Sequence, residues 1–147
     1  MINDDDLSVD SETELSKEEI EHRVHDWLDR LRDLFQKTEH WAASQGWNAD
    51  SSDTVEMNEE PMKRRGVPAQ KQPTLRLESP GGGYALFKPK GLWVIGANGR
   101  IDLYTPKGAF IIVDQAEQFS TPRWRLFRAD KRPEGTPYTP DVIPGLI

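Results

Sequence analysis

The amino-acid sequence predicts an α+β protein: a long N-terminal amphipathic helix packed on a five- to six-stranded antiparallel β-meander or small barrel, with an extended Pro-rich C-terminal tail. Three observations predict it. Apolar residues recur at three- and four-residue steps between Ser16 and Gln45, the spacing that places them on one helical face. From Thr74 the period shortens to two, as strands require, and turn residues punctuate almost every run. The connections between those runs are too short for the crossovers of a parallel sheet, which removes doubly wound folds.

Taken in order, residues 1–15 carry six Asp or Glu before any periodic pattern begins, and form an acidic segment with too little apolar surface to order itself. Ser16 and Glu19 stand at capping-box spacing and start the helix, assigned to residues 16–46 with Gly46 as its terminator. Ile20, Val24, Trp27, Leu28, Leu31, Leu34, Phe35, Thr38, Trp41 and Ala42 form the apolar stripe, and Glu21, Asp26, Asp29, Arg30, Asp33 and Lys37 the polar remainder. Covering the β half is the simplest way to bury that stripe. Residues 47–72 show no sustained period and are read as a linker, with a short helix within Val55–Lys63 stopped by Pro68 and Pro73.

The β region, 73–129, is divided into candidate strands at Thr74–Glu78, Tyr84–Lys88, Leu92–Ile95, Arg100–Tyr104, Ala109–Asp114 and Arg123–Arg128. Pro80 with Gly81, Gly82 and Gly83 makes one loop, Asn98 and Gly99 the favoured pair for a two-residue hairpin, and Pro106, Lys107 and Gly108 another tight connection. Residues 130–147 hold Pro133, Pro137, Pro140 and Pro144 and are expected to be extended, with Val142, Ile143, Leu146 and Ile147 against the surface.

Composition narrows the function classes. The 147-residue chain has no cysteine, which excludes a disulfide framework, a thiolate metal site and a cysteine nucleophile, and fits a reducing cytoplasm. The N-terminus is acidic where a secretory signal is basic and then apolar, and no apolar run reaches the roughly 18 residues of a membrane span. Charge is asymmetric: residues 1–60 carry 18 acidic against 5 basic side chains, and residues 61–147 carry 7 against 14. Such poles attract each other or different partners.

Four patterns bear on chemistry. Gly99-Arg100-Ile101-Asp102-Leu103 and Ile111-Ile112-Val113-Asp114-Gln115-Ala116 each present an acidic residue on an apolar strand, and the arrangement resembles the core of restriction-type PD-(D/E)xK nucleases. The resemblance implies a divalent metal at Asp102 and Asp114, with a Lys two residues on to assist the attacking water. Ala116 stands where that Lys belongs, and the residue reading of both Asp is a hairpin edge facing solvent. Glu19 with His22 and His25 with Asp29 have ligand spacing but lack a second matching helix. The glycines at 81–83 and 96–99 precede strands, whereas a phosphate loop requires a helix N-terminus. The basic half interleaves arginines with aromatics, and Trp93, Arg100, Arg123, Trp124, Arg125 and Arg128 form the candidate binding surface.

The expected function is therefore a small non-catalytic protein-interaction module, an accessory or immunity-type partner in a bacterial cell, without cofactor, resident metal or membrane contact. The alternatives are a nucleic-acid-binding module on the basic aromatic half and a degenerate nuclease core at Asp102 and Asp114.

Overall fold

The computed structural model describes residues 15–94, 97–130 and 135–147; the acidic segment before Leu15, the strand end assigned to Ile95, and Pro133 lie outside the described residues. The first element, α1 (Lys17–Ser44), begins where the sequence places it. Ser16 Oγ accepts the Glu19 amide at 3.1 Å and Glu19 Oε1 accepts the Ser16 amide at 3.1 Å, so each side chain satisfies a donor that the first turn leaves open. The stripe from Ile20 to Ala42 is buried except for Trp41, which is partly buried against the same core. Gly46 follows at φ 76°, the left-handed conformation that ends a helix with least strain in glycine.

Arg30, expected on the polar face, is 4 % exposed. Asp26 and Asp114 meet its guanidinium at 2.7 and 2.5 Å, and its Nη2 donates to the Ser120 carbonyl, so the buried charge is paired.

The main sheet has seven strands in the order β1 (Asn48–Asp50), β4 (Leu75–Glu78), β5 (Tyr84–Val94), β6 (Ala97–Thr105), β7 (Gly108–Asp114), β8 (Trp124–Arg128) and β9 (Thr136–Pro137). Every pairing is antiparallel. The sheet is open, which corrects the barrel alternative: β1 and β9 are its two edges, and the apolar stripe of α1 joins the core on one face of the sheet. Tyr84–Lys88 and Leu92–Ile95 join into the single strand β5 because the register shift between Pro89 and Gly91 absorbs one extra residue without ending the strand.

The Asn98–Gly99 pair is not the hairpin turn. Pairing of Trp93 with Asn98 and of Val94 with Ala97 carries the ladder past it, so both residues belong to β6. Gly99, at φ 103°, instead makes room for α1: a Cβ there would collide with the six-membered ring of Trp27. Close approach of a helix to the sheet requires glycine at this place.

Residues 47–72 contain more structure than the linker expected from their lack of period. Besides β1 they form β2 (Thr54–Met57), a short helix α2 (Glu60–Arg64) and β3 (Gln70–Pro73), with β2 and β3 paired as a separate two-stranded sheet. Strands of three or four residues are too short for alternation to show. Met57, Met62 and Val67 join the same core as α1 and the main sheet, and Trp27 Nε1 donates to Gln72 Oε1 at 2.9 Å. At Thr74 the chain leaves the small sheet for the large one.

The tail is likewise docked. Its described part forms β9 and a 3-10 helix at Pro140–Leu146; Ile143 is buried, Tyr138 and Thr38 share a hydrogen bond at 2.9 Å, and Thr105 Oγ1 donates to the Leu146 carbonyl at 2.6 Å. Apolar residues at 138, 142, 143 and 146 fold the segment back, against the prolines' preference for extension. No helix among the described residues is long and apolar enough to cross a membrane.

Candidate binding cleft

Alternation along the strands decides which predicted site residues can meet. Asp102 pairs with Ile111 on β7, and Asp114 lies an odd number of residues from Ile111 on the same uninterrupted strand, so the two carboxylates project from opposite faces. They cannot share a metal ion, which corrects the two-carboxylate site implied by the nuclease resemblance. Asp102 is paired with Arg100 at 2.8 Å. Asp114 is wholly buried, not solvent-facing: Oδ2 accepts Arg30 Nη1, and Oδ1 accepts the amides of Ala116 and Arg123, each at 2.9 Å. Among the described residues no three His, Asp or Glu side chains are grouped as a metal site would need.

These bonds fasten both ends of the β7–β8 loop, residues 115–123. Within the loop Phe119 has φ 61°, rare for a side chain of its size, and its half-exposed ring stacks on His22 of α1 at 4.3 Å between centroids. Against this loop lies a cleft of about 810 Å³, bounded by the β5–β6 hairpin at Leu92–Val94 and Ala97–Asn98, by residues 115–118, and by Arg23 of α1. That volume is in the range of ligand sites.

Trp93 is central to the cleft wall. Glu59, the residue before α2, accepts the amides of Leu92 and Trp93 at 2.9 and 3.1 Å and thereby fixes the backbone just beyond the β5 bulge. A Cβ at residue 91 would strike that carboxylate, so Gly91 is what lets Glu59 reach the strand. Burial raises the Glu59 carboxyl above the ordinary glutamate value, opposed by the two amides and by the charge of Arg23. The Arg23 guanidinium lies over the Trp93 ring, 5.2 Å from its centroid.

Two donors in this wall are unsatisfied. Trp93 Nε1 and Asn98 Nδ2 are buried and have no hydrogen-bond partner among the described residues. The two residues face each other across the ladder.

The remaining predicted residues do not assemble into one surface. Trp124 stands on the helix-facing side of β8, its ring 6.2 Å from that of Trp27, and serves the core. Arg100 and Arg125 align through Val113 on the outer face, whereas Arg128, in register with Phe110, lies over that ring and bonds Asp130. Arg125 Nη2 donates to the Gly135 carbonyl, and Arg123 Nη2 to the Gln115 carbonyl at 3.5 Å. Of the predicted set, Trp93 alone lines the cleft. Sequence reading missed Arg23, Glu59 and Asn98. Arg23 resembles any polar-face helix residue, Asn98 resembles a turn residue, and Glu59 acts through a backbone 33 residues away.

No family model matches the chain, and neither a curated protein nor a solved structure matches it.

Proposed function

We propose that this chain is a non-catalytic protein-interaction module, an accessory or immunity-type partner that docks another protein at the cleft beside Trp93. The observation that carries the reading is the meeting of Trp93 and Arg23 at one open cleft, on residues held in place by Glu59 and beside a loop fastened by Asp114. Trp and Arg dominate the energies of protein interfaces, and preorganised anchors lower the entropic cost of docking. The separation of Asp102 from Asp114 supports a binding role over a nuclease core. The division of Arg100, Arg125 and Arg128 between two faces supports a protein partner over a phosphate backbone, which is tracked by charge along one surface. The cysteine-free composition supports a cytoplasmic setting.

The test is capture from a lysate of the source cell with the immobilised chain, with and without nuclease. A protein partner should survive nuclease and fall at least tenfold on Trp93→Ala, in keeping with an interface anchor. Capture that survives Trp93→Ala but is lost with nuclease, or on replacing Arg100, Arg123, Arg125 and Arg128 by Gln, would assign the function to nucleic acid binding instead.

A further inference from the structure

The unpaired groups in the cleft wall are both neutral and both donors. Trp93 Nε1 carries one N–H and Asn98 Nδ2 two, and neither finds an acceptor among the described residues although Asn98 is only 6 % exposed. Buried donors without partners are uncommon in folded proteins, and each costs free energy that a suitable ligand recovers. Their pairing across the β5–β6 ladder sets them at neighbouring positions, as two acceptors on one extended chain would be.

The charges around them do not call for an ion. Arg23 is the cleft's cation and Glu117 its anion, and Arg23 also faces Glu59. A carboxylate or phosphate would enter a wall with no net positive charge. Main-chain carbonyls suit two neutral donors better, provided the ligand brings few N–H groups that need acceptors of their own. Proline meets that condition, since its nitrogen carries no hydrogen and its polyproline II chain leaves every carbonyl free. The indole of Trp93 adds the aromatic surface against which such chains pack at low entropic cost.

We propose that the cleft binds a proline-rich segment of the partner protein, with two of its carbonyls accepting from Trp93 Nε1 and Asn98 Nδ2. Both nitrogens are buried, so seating the segment would require the Asn98 amide to turn and the indole edge to open. Glu117 at the rim favours a basic residue beside the prolines. The inference rests on the cleft being the docking site.

The probe is acetylated, amidated hexaproline, titrated into the full chain by calorimetry and followed by the indole signal of Trp93, which Trp93→Phe assigns. Saturable binding that moves this signal is expected, at least tenfold tighter than to an alternating Ala-Ser hexapeptide of the same length. Trp93→Phe keeps a ring and removes the donor, and Asn98→Asp keeps the shape and replaces the donor; each should weaken binding about five- to tenfold, the loss of one hydrogen bond. Far-ultraviolet circular dichroism establishes that each variant is folded, and either one alone suffices. Equal affinity for the two peptides, or undiminished binding by a folded variant, overturns the proposal. If hexaproline leaves the Trp93 signal unmoved while a captured partner protein shifts it, the ligand class is wrong and the docking site stands. If neither moves it, both readings fall.

Discussion

Asp114 shows how a single residue changes meaning between sequence and structure. On a strand ending in a loop it has the pattern of a metal ligand or of a solvated edge; in the fold it neutralises Arg30 and caps two amides of the loop that follows. Its lone pairs are consumed by structure. Asp114→Asn should cost about 3–5 kcal/mol, because it leaves Arg30 buried without its closest counter-charge, whereas Asp102→Asn, on a partly exposed pair, should cost under about 1 kcal/mol. Urea melts of the two variants measure the contrast, and equal midpoints would show that Arg30 does not depend on Asp114. None of this was legible from spacing, since Arg30 has the period of a polar-face residue and its partner lies 84 positions away. Burial of a charge is decided by its partners, which a local pattern does not contain.

At the scale of elements, legibility followed length. The helix α1 and the strands β4 to β8 were visible because each repeats its period often enough to be counted, and because the capping box fixes where α1 starts. The short β1, β2 and β3 were not, and the tail's compact 3-10 turn was hidden beneath prolines that suggested extension. The β5–β6 hairpin was located with the wrong turn: Asn98–Gly99 has favourable turn chemistry, but the packing of Trp27 onto the backbone of Gly99 is what that glycine provides. Gly99→Ala should therefore act on the helix–sheet seam. A Cβ would meet both a left-handed backbone and the Trp27 ring, at an expected cost of about 2–4 kcal/mol. Thermal melts read the loss of stability, and near-ultraviolet circular dichroism reads the displaced indole. A change in neither would mean that α1 can lift off residue 99 freely.

For the whole molecule, one apolar cluster joins α1, the two-stranded sheet, the main sheet and the tail. A shared core implies a single cooperative transition even though the strands belong to two sheets. Met62→Ala on α2 and Leu103→Ala on β6 should each lower stability by about 2–5 kcal/mol and shift one common unfolding curve; two separate transitions would show that residues 54–73 fold on their own. The cleft was the least legible feature at this scale, because Arg23, Trp93, Asn98 and Glu117 come together only through the docking of helix, hairpin and loop. The hydrogen bond between Thr38 and Tyr138 spans 100 residues, and during synthesis that separation becomes an interval of time. At about 5–20 residues per second, α1 leaves the ribosome some 5–20 s before the last part of its docking surface exists. Over that interval Trp27, Leu31 and Phe35 gain their cover strand by strand and are fully enclosed only at the end, which makes the newly made helix the segment of this chain on which a chaperone would act.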